Sequence, residues 1–477
     1  MRLFVTVSAL VVVASACSDS STGPKNSALA VRSVSATSNP NNALSAIVYF
    51  NAQRAESASV SFSAPTDPGS STPWFHLAND IGRITVLALL PSTTYTLVLT
   101  VAGQHTTKSD TVQYTTDTLP TFIQGMALTT AQGTLGPGLT LLATLNPVDT
   151  ASAVAFDSIG RVRWYRIFPN INSADIKQQH NGNFTIALNV LGTSQAGPGS
   201  FTEFPADGNI VATFEPPVGF PDFHEFWLTG DSVSGYAAHF WAYSEIRNLD
   251  LTSLGGSASQ PEYGHTMFRT SASGQAEFAW TTWNYFGIAD WIEPTCCPPH
   301  SDFDHPNVLD FAPDSNYIIS FRNFGVVAKV DRNTGKRIWQ LGGTQSTLTF
   351  QNDPLGFFSG QHNAHYLPNG DLMVFDNGLR HNPPHSRAAE YAINEQTKTA
   401  TLVWEYEPTP MVFASFIGSS ERFLNGNTLV GFGALGQLDE IDPLNNLLAR
   451  AFFTFRGKQG LFYRAYRLPS LYQYKAP

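Results

Sequence analysis

Charge is scarce in this chain. Only 13% of its 477 residues are Asp, Glu, Lys or Arg, against 42% apolar residues, whereas globular domains usually carry about a quarter charged. No block of Lys or Arg occurs, and the formal net charge is −10. Both features exclude nucleic acid as an electrostatic partner. Cysteine is nearly absent: Cys17, Cys296 and Cys297 are the full set. That excludes a disulfide-dense scaffold. Two adjacent thiols without further cysteines nearby also make a poor zinc site. What remains open for Cys296 and Cys297 is a vicinal disulfide, an intermolecular pair or free thiols. The expectation is a disulfide that stiffens the segment before His300 and His305 without entering the chemistry.

The apolar stretch at residues 3–13 follows Arg2 and is too short to span a membrane. It has the form of a secretory signal. Ala14, Ser15 and Ala16 precede Cys17 in a pattern similar to a bacterial lipobox, and the polar run SDSSTGPKNS follows. Residues 1–16 are therefore expected to be a signal peptide and residues 17–27 a tether behind a lipidated Cys17. The protein is expected outside the cytoplasm, periplasmic or on the cell surface, touching a membrane only through that lipid.

What the chain has in quantity is 37 Gly, 30 Pro and 12% aromatic residues, the composition of an all-β protein with many turns. Residues 28–118 contain the strand-like runs LSAIVYF and YTLVLTV. In LLPSTTYTLVLTV, Tyr95 follows Pro91 by four residues. This resembles the tyrosine corner of a fibronectin type III-like sandwich, so a small spacer or docking domain is expected here.

From residue 120 the sequence repeats itself. One unit is a hairpin ending in an aromatic: VAFDSIGRVRWY, TEFPADGNIVATF, MFRTSASGQAEFAW, AKVDRNTGKRIWQ, EYAINEQTKTATLVWEY and DEIDPLNNLLARAFF. The closing aromatics are Trp164, Phe214, Trp280, Trp339, Trp404 and Phe452. A spacing of roughly fifty to sixty-five residues suits a blade of four strands with loops. Residues 120–477 are accordingly expected to form a six-bladed β-propeller, each hairpin burying its face against its neighbours. A second unit lies between these hairpins, in QQHNGNFTIAL, DFHEFWLTGDSVSGYAAHF, FDHPNVLDFAPDSNYIISFRN, GQHNAHYLPNGDLMVFDNG and GSSERFLNGNTLVGFG. The C-terminal GLFYRAYRLPSLY is either a sixth copy or a strand that closes the ring against residues 123–145.

This second unit carries the chemistry. His180, His224, His305 and His362 fall at nearly equivalent places in four repeats, and in a propeller such positions converge on one axis. The candidate set is His224, His305, Asn307, Arg322 and His362. His305 and Asn307 flank Pro306, so both face one side of an extended segment. Arg322 stands in the register that Asp376 and Asn377 hold in the next repeat. A guanidinium ringed by imidazoles is an anion site with a planar donor fork. Three histidines also suit a metal, but an arginine beside a dication is repelled. No metal or other cofactor is expected. Trp283, Tyr285, Phe286 and Trp291, in TTWNYFGIADWIEP, are candidates either for the walls of an aromatic pocket or for ordinary loop packing.

The segments DFHEF, DHPNVLDFAPDSNYIISFRN, KVDRNTGKRIWQLGG, QHNAHYLPNGDLMVFDNG and SRAAEYAIN…VWEYEP resemble the bacterial arylsulfate sulfotransferases in order and spacing, across roughly residues 140–440. The resemblance implies a six-bladed propeller behind a small β-sandwich. It implies a periplasmic enzyme that moves a sulfuryl group from an aryl sulfate donor to a phenolic acceptor without a nucleotide sulfate donor. Carried over motif by motif, it makes His362 of QHNA the transient nucleophile, with catalytic roles for His305, Arg322 and His224 and a substrate contact at Asn307. Two departures stand out: Gly418 occupies the place of a family threonine, and the family's spaced cysteine pair is here adjacent. A non-catalytic binding propeller and a quinone-dependent dehydrogenase are the competing readings, and the latter usually shows eight tryptophan-bearing repeats rather than six. Self-association into a homo-oligomer is open.

Overall fold

A computed structural model describes residues 28–145, 150–169, 171–188, 199–230, 236–292 and 302–472. Cys17 with its signal and tether, and the pair Cys296 and Cys297 with His300, lie outside the described residues.

The described chain is built of strands, with one α-helical turn at Thr121–Gln124. Near the N-terminus two antiparallel sheets face each other. One joins Ala30–Asn39, Asn42–Gln53 and Ile81–Val86; the other joins Asp67–Ser71, Ser57–Ala64, Thr94–Ala102 and Thr107–Thr115. Along Thr94–Ala102 the alternation is strict: Tyr95, Leu97, Leu99 and Val101 are buried, and they meet Val48, Phe50, Val60 and Ile84 in one core. The Tyr95 hydroxyl accepts from the Leu90 N–H at 2.9 Å and donates to Asp67 Oδ2 at 2.6 Å. Both expected strand runs fall inside strands.

Six further sheets follow in chain order, antiparallel except for the short edge strand Thr349–Gln351, and each quoted repeat hairpin forms the third and fourth strands of its own sheet. The hairpins are Thr150–Phe156 with Val162–Pro169, Ser200–Phe204 with Ala212–Phe214, Gln260–Thr270 with Ala276–Thr281, Val326–Val330 with Arg337–Gly342, Arg387–Asn394 with Thr399–Tyr406, and Gln437–Ile441 with Leu447–Phe455. The first strands of successive sheets touch. Ser173–Gln178 meets Phe220–Thr229, which meets Pro306–Phe311, then His362–Tyr366, then Ser419–Arg422. The circuit returns through Phe462–Leu468, which touches both Ser419–Arg422 and Ser173–Gln178. Phe462–Leu468 also pairs antiparallel with Leu139–Thr144. The C-terminal segment is therefore the strand that closes against the start of the repeats, and Met126–Gly133 in turn lies along Leu447–Phe455.

The closing aromatics are buried in three copies and half-buried in two, at Phe214 and Trp404. Trp164, Trp280 and Trp339 are buried. The sixth copy differs: Phe452 points outward and is 36% exposed, while Phe453 is the buried ring, packed on Phe156 and Phe462. A strand's period of two allows one of two adjacent phenylalanines inward, and burying one is worth roughly 1.5–3 kcal/mol. Residues 28–118 dock on these sheets. Leu44 shares a core with Leu128, Val154 and Phe453, and Leu87 shares one with Trp164 and Phe184. Asp67 pairs with Arg163 at 2.8 Å, and Asn42 Nδ2 donates to the Tyr165 carbonyl at 2.8 Å.

Candidate active site

His362 opens the strand His362–Tyr366 and is 1% exposed. Its Nδ1 lies 2.7 Å from Asn377 Oδ1 and 3.0 Å from the Gly360 carbonyl. The Asn377 amide cannot turn round, because its Nδ2 donates to the Ala414 and Ile417 carbonyls at 2.7 and 2.9 Å. Both neighbours of Nδ1 are thus acceptors, so Nδ1 carries the proton and Nε2 keeps its lone pair. Burial, reinforced by His305 and Arg322 and opposed by the Asn377 bond, holds the ring well below the ordinary imidazole range. The result is a neutral imidazole with a defined tautomer.

His224 and His305 stand beside it. Their rings are 4.7 Å apart, and His305 is 6.4 Å from His362. His224 Nδ1 bonds Asp222 Oδ1 at 2.7 Å, and the same oxygen accepts the His224 backbone N–H at 2.9 Å. His305 repeats the arrangement: its Nδ1 bonds Asp302 Oδ2, and its N–H donates to Asp302 Oδ1 at 3.1 Å. In each case the carboxylate fixes which nitrogen faces away from it. Burial lowers the basicity of His224, and Asp222 opposes that shift. The backbone here is strained: His305, Asn363 and Ile417 take φ of 50°, 49° and 50°, a region that costs a non-glycine residue roughly 1–3 kcal/mol. All three adjoin the imidazoles or the residues that hold them. The Ile417 carbonyl is one of the two that anchor Asn377, and Asn363 Oδ1 accepts the Ser420 N–H at 2.8 Å.

Arg322 follows the strand Tyr317–Phe321 and is 7% exposed. Its N–H donates to the His305 carbonyl at 3.0 Å, and its Nη1 donates to Asn323 Oδ1 at 3.1 Å. Nε is buried with no hydrogen-bond partner, and among the described residues no carboxylate pairs with the guanidinium. By contrast, buried Arg387 and Arg464 are both ion-paired. A buried cation with a free donor edge calls for an anion from outside. Asn307 plays a supporting part. Its Nδ2 donates at 2.6 Å to the carbonyl of Gln361, the residue before His362. The Asn307 carbonyl accepts from Arg464 Nη2 at 2.9 Å and from the Tyr463 hydroxyl at 3.3 Å. Tyr463 lies 5.5 Å from His224 and 6.2 Å from His362, ring to ring.

His224, His305, Arg322, His362 and Asn307 are thus brought together, whereas His180 is not. It lies past the end of Ser173–Gln178, exposed, with its ring 6.0 Å from Trp227, because the second sheet's first strand runs out before the histidine. Trp283, Tyr285, Phe286 and Trp291 are packing residues. Trp283 stacks on Phe303 at 4.2 Å, Tyr285 on Trp280 at 4.6 Å and Phe286 on Phe324 at 4.6 Å, while Trp291 Nε1 bonds the Phe303 carbonyl. Trp283 and Trp291 brace Phe303, two residues before His305. Gly418 has φ +134°, and a Cβ there would meet the Phe375 ring at 2.3 Å. The Phe375 ring fills the space a threonine would need.

Sequence reasoning missed four buried groups: Asp222, Asp302, Asp304 and His265. The first three had a signal, since PDFH and SDFDH both place Asp-Phe just ahead of the histidine. His265, Asp302 and Asp304 bring donor atoms within 4.8 Å of one another, close enough for a cation. Those donors are already engaged in two separate pairs, His265 Nδ1 with Asp304 and Asp302 with His305. A separate cavity of about 330 Å³ lies away from the imidazoles, one residue further along the inner strands. It is lined by Lys177, Glu225, Asp310, His365, Glu421 and Arg464, among others.

Residues 293–454 match the family model described as Arylsulfotransferase (ASST), which supports the resemblance found in the motifs. The matched segment contains His305, Asn307, Arg322 and His362 and leaves His224 and Tyr463 outside it. No curated protein matches the chain. Among solved structures, a protein of unknown function from Bacteroides caccae aligns with TM-score 0.40 at 11% identity, covering 69% of this chain and 98% of that one. A catalytically inactive virginiamycin B lyase from Staphylococcus aureus with quinupristin aligns with TM-score 0.36 at 8% identity, covering 69% and 99%.

Proposed function

We propose that this protein is an arylsulfate sulfotransferase that works without a nucleotide sulfate donor, through a sulfuryl group held on His362. The family match supports aryl sulfotransfer in general. The observation that carries the finer reading is the pairing of a neutral imidazole, its Nε2 lone pair fixed by Asn377, with a buried guanidinium whose Nε has no partner. Nucleophile and anion receptor then sit in one site.

The steps follow from the geometry. Arg322 binds the sulfate ester anion. His362 Nε2 attacks sulfur, the bond from sulfur to the phenolic oxygen breaks, and its electron pair leaves with the phenoxide. Phenols have pKa near 10, so a proton from His224 or His305 assists departure. His224 is neutral in the free protein, and the bound ester anion together with Asp222 favours its protonated form. In the second half the same imidazole removes the acceptor's phenolic proton. The acceptor oxygen attacks sulfur, and the N–S bond breaks to restore His362. The scheme is ping-pong and uses no cofactor.

The six sheets whose first strands touch in a circuit are the blades of a β-propeller in this reading, with the site where those strands begin. Residues 28–118 form a fibronectin type III-like domain docked on it. The chain is secreted and held at the extracytoplasmic face through Cys17. The functional test is a burst assay with 4-nitrophenyl sulfate and no nucleotide, metal or acceptor. One equivalent of 4-nitrophenol with a sulfuryl adduct on His362 is expected. No burst and no adduct, with binding of the aryl sulfate intact, would establish a non-catalytic binding protein instead.

A further inference from the structure

We propose that His265 is a positioning residue that acts on the reaction through His224. It clamps Asp222 from the side opposite His224, and so fixes which nitrogen of His224 faces the transferring group. The proposal rests on the sulfotransferase reading for the step it affects, but the clamp stands on its own geometry.

Four side chains form a line. Asp304 bonds His265 Nδ1, and its other oxygen accepts the His265 backbone N–H at 3.2 Å. His265 Nε2 lies 3.5 Å from Asp222 Oδ2, an ion-pair contact in which neither atom makes a hydrogen bond in the free protein. Asp222 Oδ1 bonds His224 Nδ1 at 2.7 Å. His265, Asp222 and Asp304 are 0% exposed and His224 is 2% exposed, so none of them faces bulk solvent. Tyr243 covers the His265 ring at 4.1 Å between centroids. The Thr282 hydroxyl donates to the His265 carbonyl at 3.2 Å. The ring is therefore fixed by its backbone, by Asp304 and by Tyr243 before Asp222 is considered.

A carboxylate in a dry interior needs positive charge or donors on both oxygens. Asp222 Oδ1 has two donors from His224, while Oδ2 faces His265 Nε2. Burial disfavours charge on His265, but Asp304 and Asp222 outweigh it and push the ring up to about 10. An imidazolium between two carboxylates is the arrangement that keeps Asp222 ionised and oriented. Ionised Asp222 then accepts a hydrogen bond from His224 Nδ1–H, leaving Nε2 as the atom that gives and takes a proton at the phenol oxygen. The 3.5 Å separation is long for a hydrogen bond in the free protein, and such contacts tighten when charge develops on the partner. Without His265, Asp222 Oδ2 has lost its cation, and the carboxyl takes up a proton or rotates. His224 then loses its single tautomer.

The test has two arms, on His265→Gln and on the milder Asp304→Asn, which keeps shape where the first variant does not fold. In ring-¹⁵N histidine NMR, the His224 signals of the wild type are expected to be those of the Nδ1-protonated tautomer. In the variants they are expected to become a tautomer mixture. In burst kinetics, phenyl sulfate, whose phenoxide needs a proton, should slow by about a hundredfold, while 4-nitrophenyl sulfate slows far less. His224→Asn should show the same leaving-group selectivity, and the double variant with His265→Gln should be no worse than His224→Asn alone. Equal slowing of both esters with an unchanged His224 tautomer would overturn the clamp. A fixed wild-type tautomer lost in the variants, in a protein that turns over neither ester, would uphold the clamp and overturn the sulfotransferase reading.

Discussion

Replacing Arg322 with methionine should push stability and activity in opposite directions. In the free protein the guanidinium is 7% exposed, its Nε has no partner, and Nη1 reaches only the neutral Asn323 side chain at 3.1 Å. An unsatisfied buried donor costs about 1–3 kcal/mol, and more when it carries charge. Methionine fills similar space without that penalty, so Arg322→Met should raise the unfolding free energy of the free protein by an amount of that order. Inorganic sulfate supplies the missing partner to the wild type. At a hundred times its dissociation constant it should add about 2.7 kcal/mol of stability, and next to nothing in the variant. The catalytic effect runs the other way: loss of one preorganised donor to a charged transition state typically lowers kcat by roughly a hundredfold to a thousandfold. Thermal unfolding with and without sulfate, beside burst kinetics with 4-nitrophenyl sulfate, reads all three effects. A variant less stable than the wild type, with the same sulfate-induced shift, would mean that Arg322 is a structural residue and the anion binds elsewhere.

Other perturbations have equally definite outcomes. His362→Asn should abolish both the phenol burst and the sulfuryl adduct, whereas His305→Asn should leave a slow burst with the adduct still on His362, as peptide mass analysis would show. Because the folded His362 titrates below the unfolded value near 6.5, the unfolded chain binds the extra proton first as pH falls. Its stabilising contribution is present above pH 6.5 and is lost on acidification below that. The burst rate should therefore hold through pH 6.5 and fall only at more acid pH, where a free imidazole would already have lost half its activity. His265 has the opposite sign, since its folded value lies near 10; its contribution is full below pH 6.5 and is lost as pH rises toward 10. Gly418→Thr should lower thermal stability, both by forcing the buried Phe375 ring aside and by placing a β-branched residue at φ +134°, as a thermal melt would show. Deleting residues 28–118 should cost stability by exposing the surface that Leu44 and Leu87 cover, which a thermal melt of the truncated chain would show.

The sequence carried the repeats more clearly than the contacts. Hairpins were legible because each ends in a large ring at broadly similar spacing, and five of the six chosen aromatics are at least half-buried. The sixth failed because Phe452 and Phe453 are adjacent, and composition does not say which faces inward. Histidine register worked where the residue opens or begins an inner strand, as at His305 and His362, and failed at His180, which lies beyond the strand's end. The aromatic-rich insertion offered two readings, and only packing against Phe303 and Phe324 separates them. His265 had no signal at all. It sits mid-strand in EYGHTMF, and its importance comes from Asp304, 39 residues away in the chain.

The strand Phe462–Leu468 has a bearing on when the protein becomes active. Tyr463 and Arg464 on this strand bond the Asn307 carbonyl, and Asn307 holds the residue before His362. A chain lacking this strand would have its imidazoles but not the support behind Asn307. In the sulfotransferase reading, the site is complete only once Phe462–Leu468 has paired with Leu139–Thr144. A product truncated before this strand is then expected to be impaired even with every histidine in place.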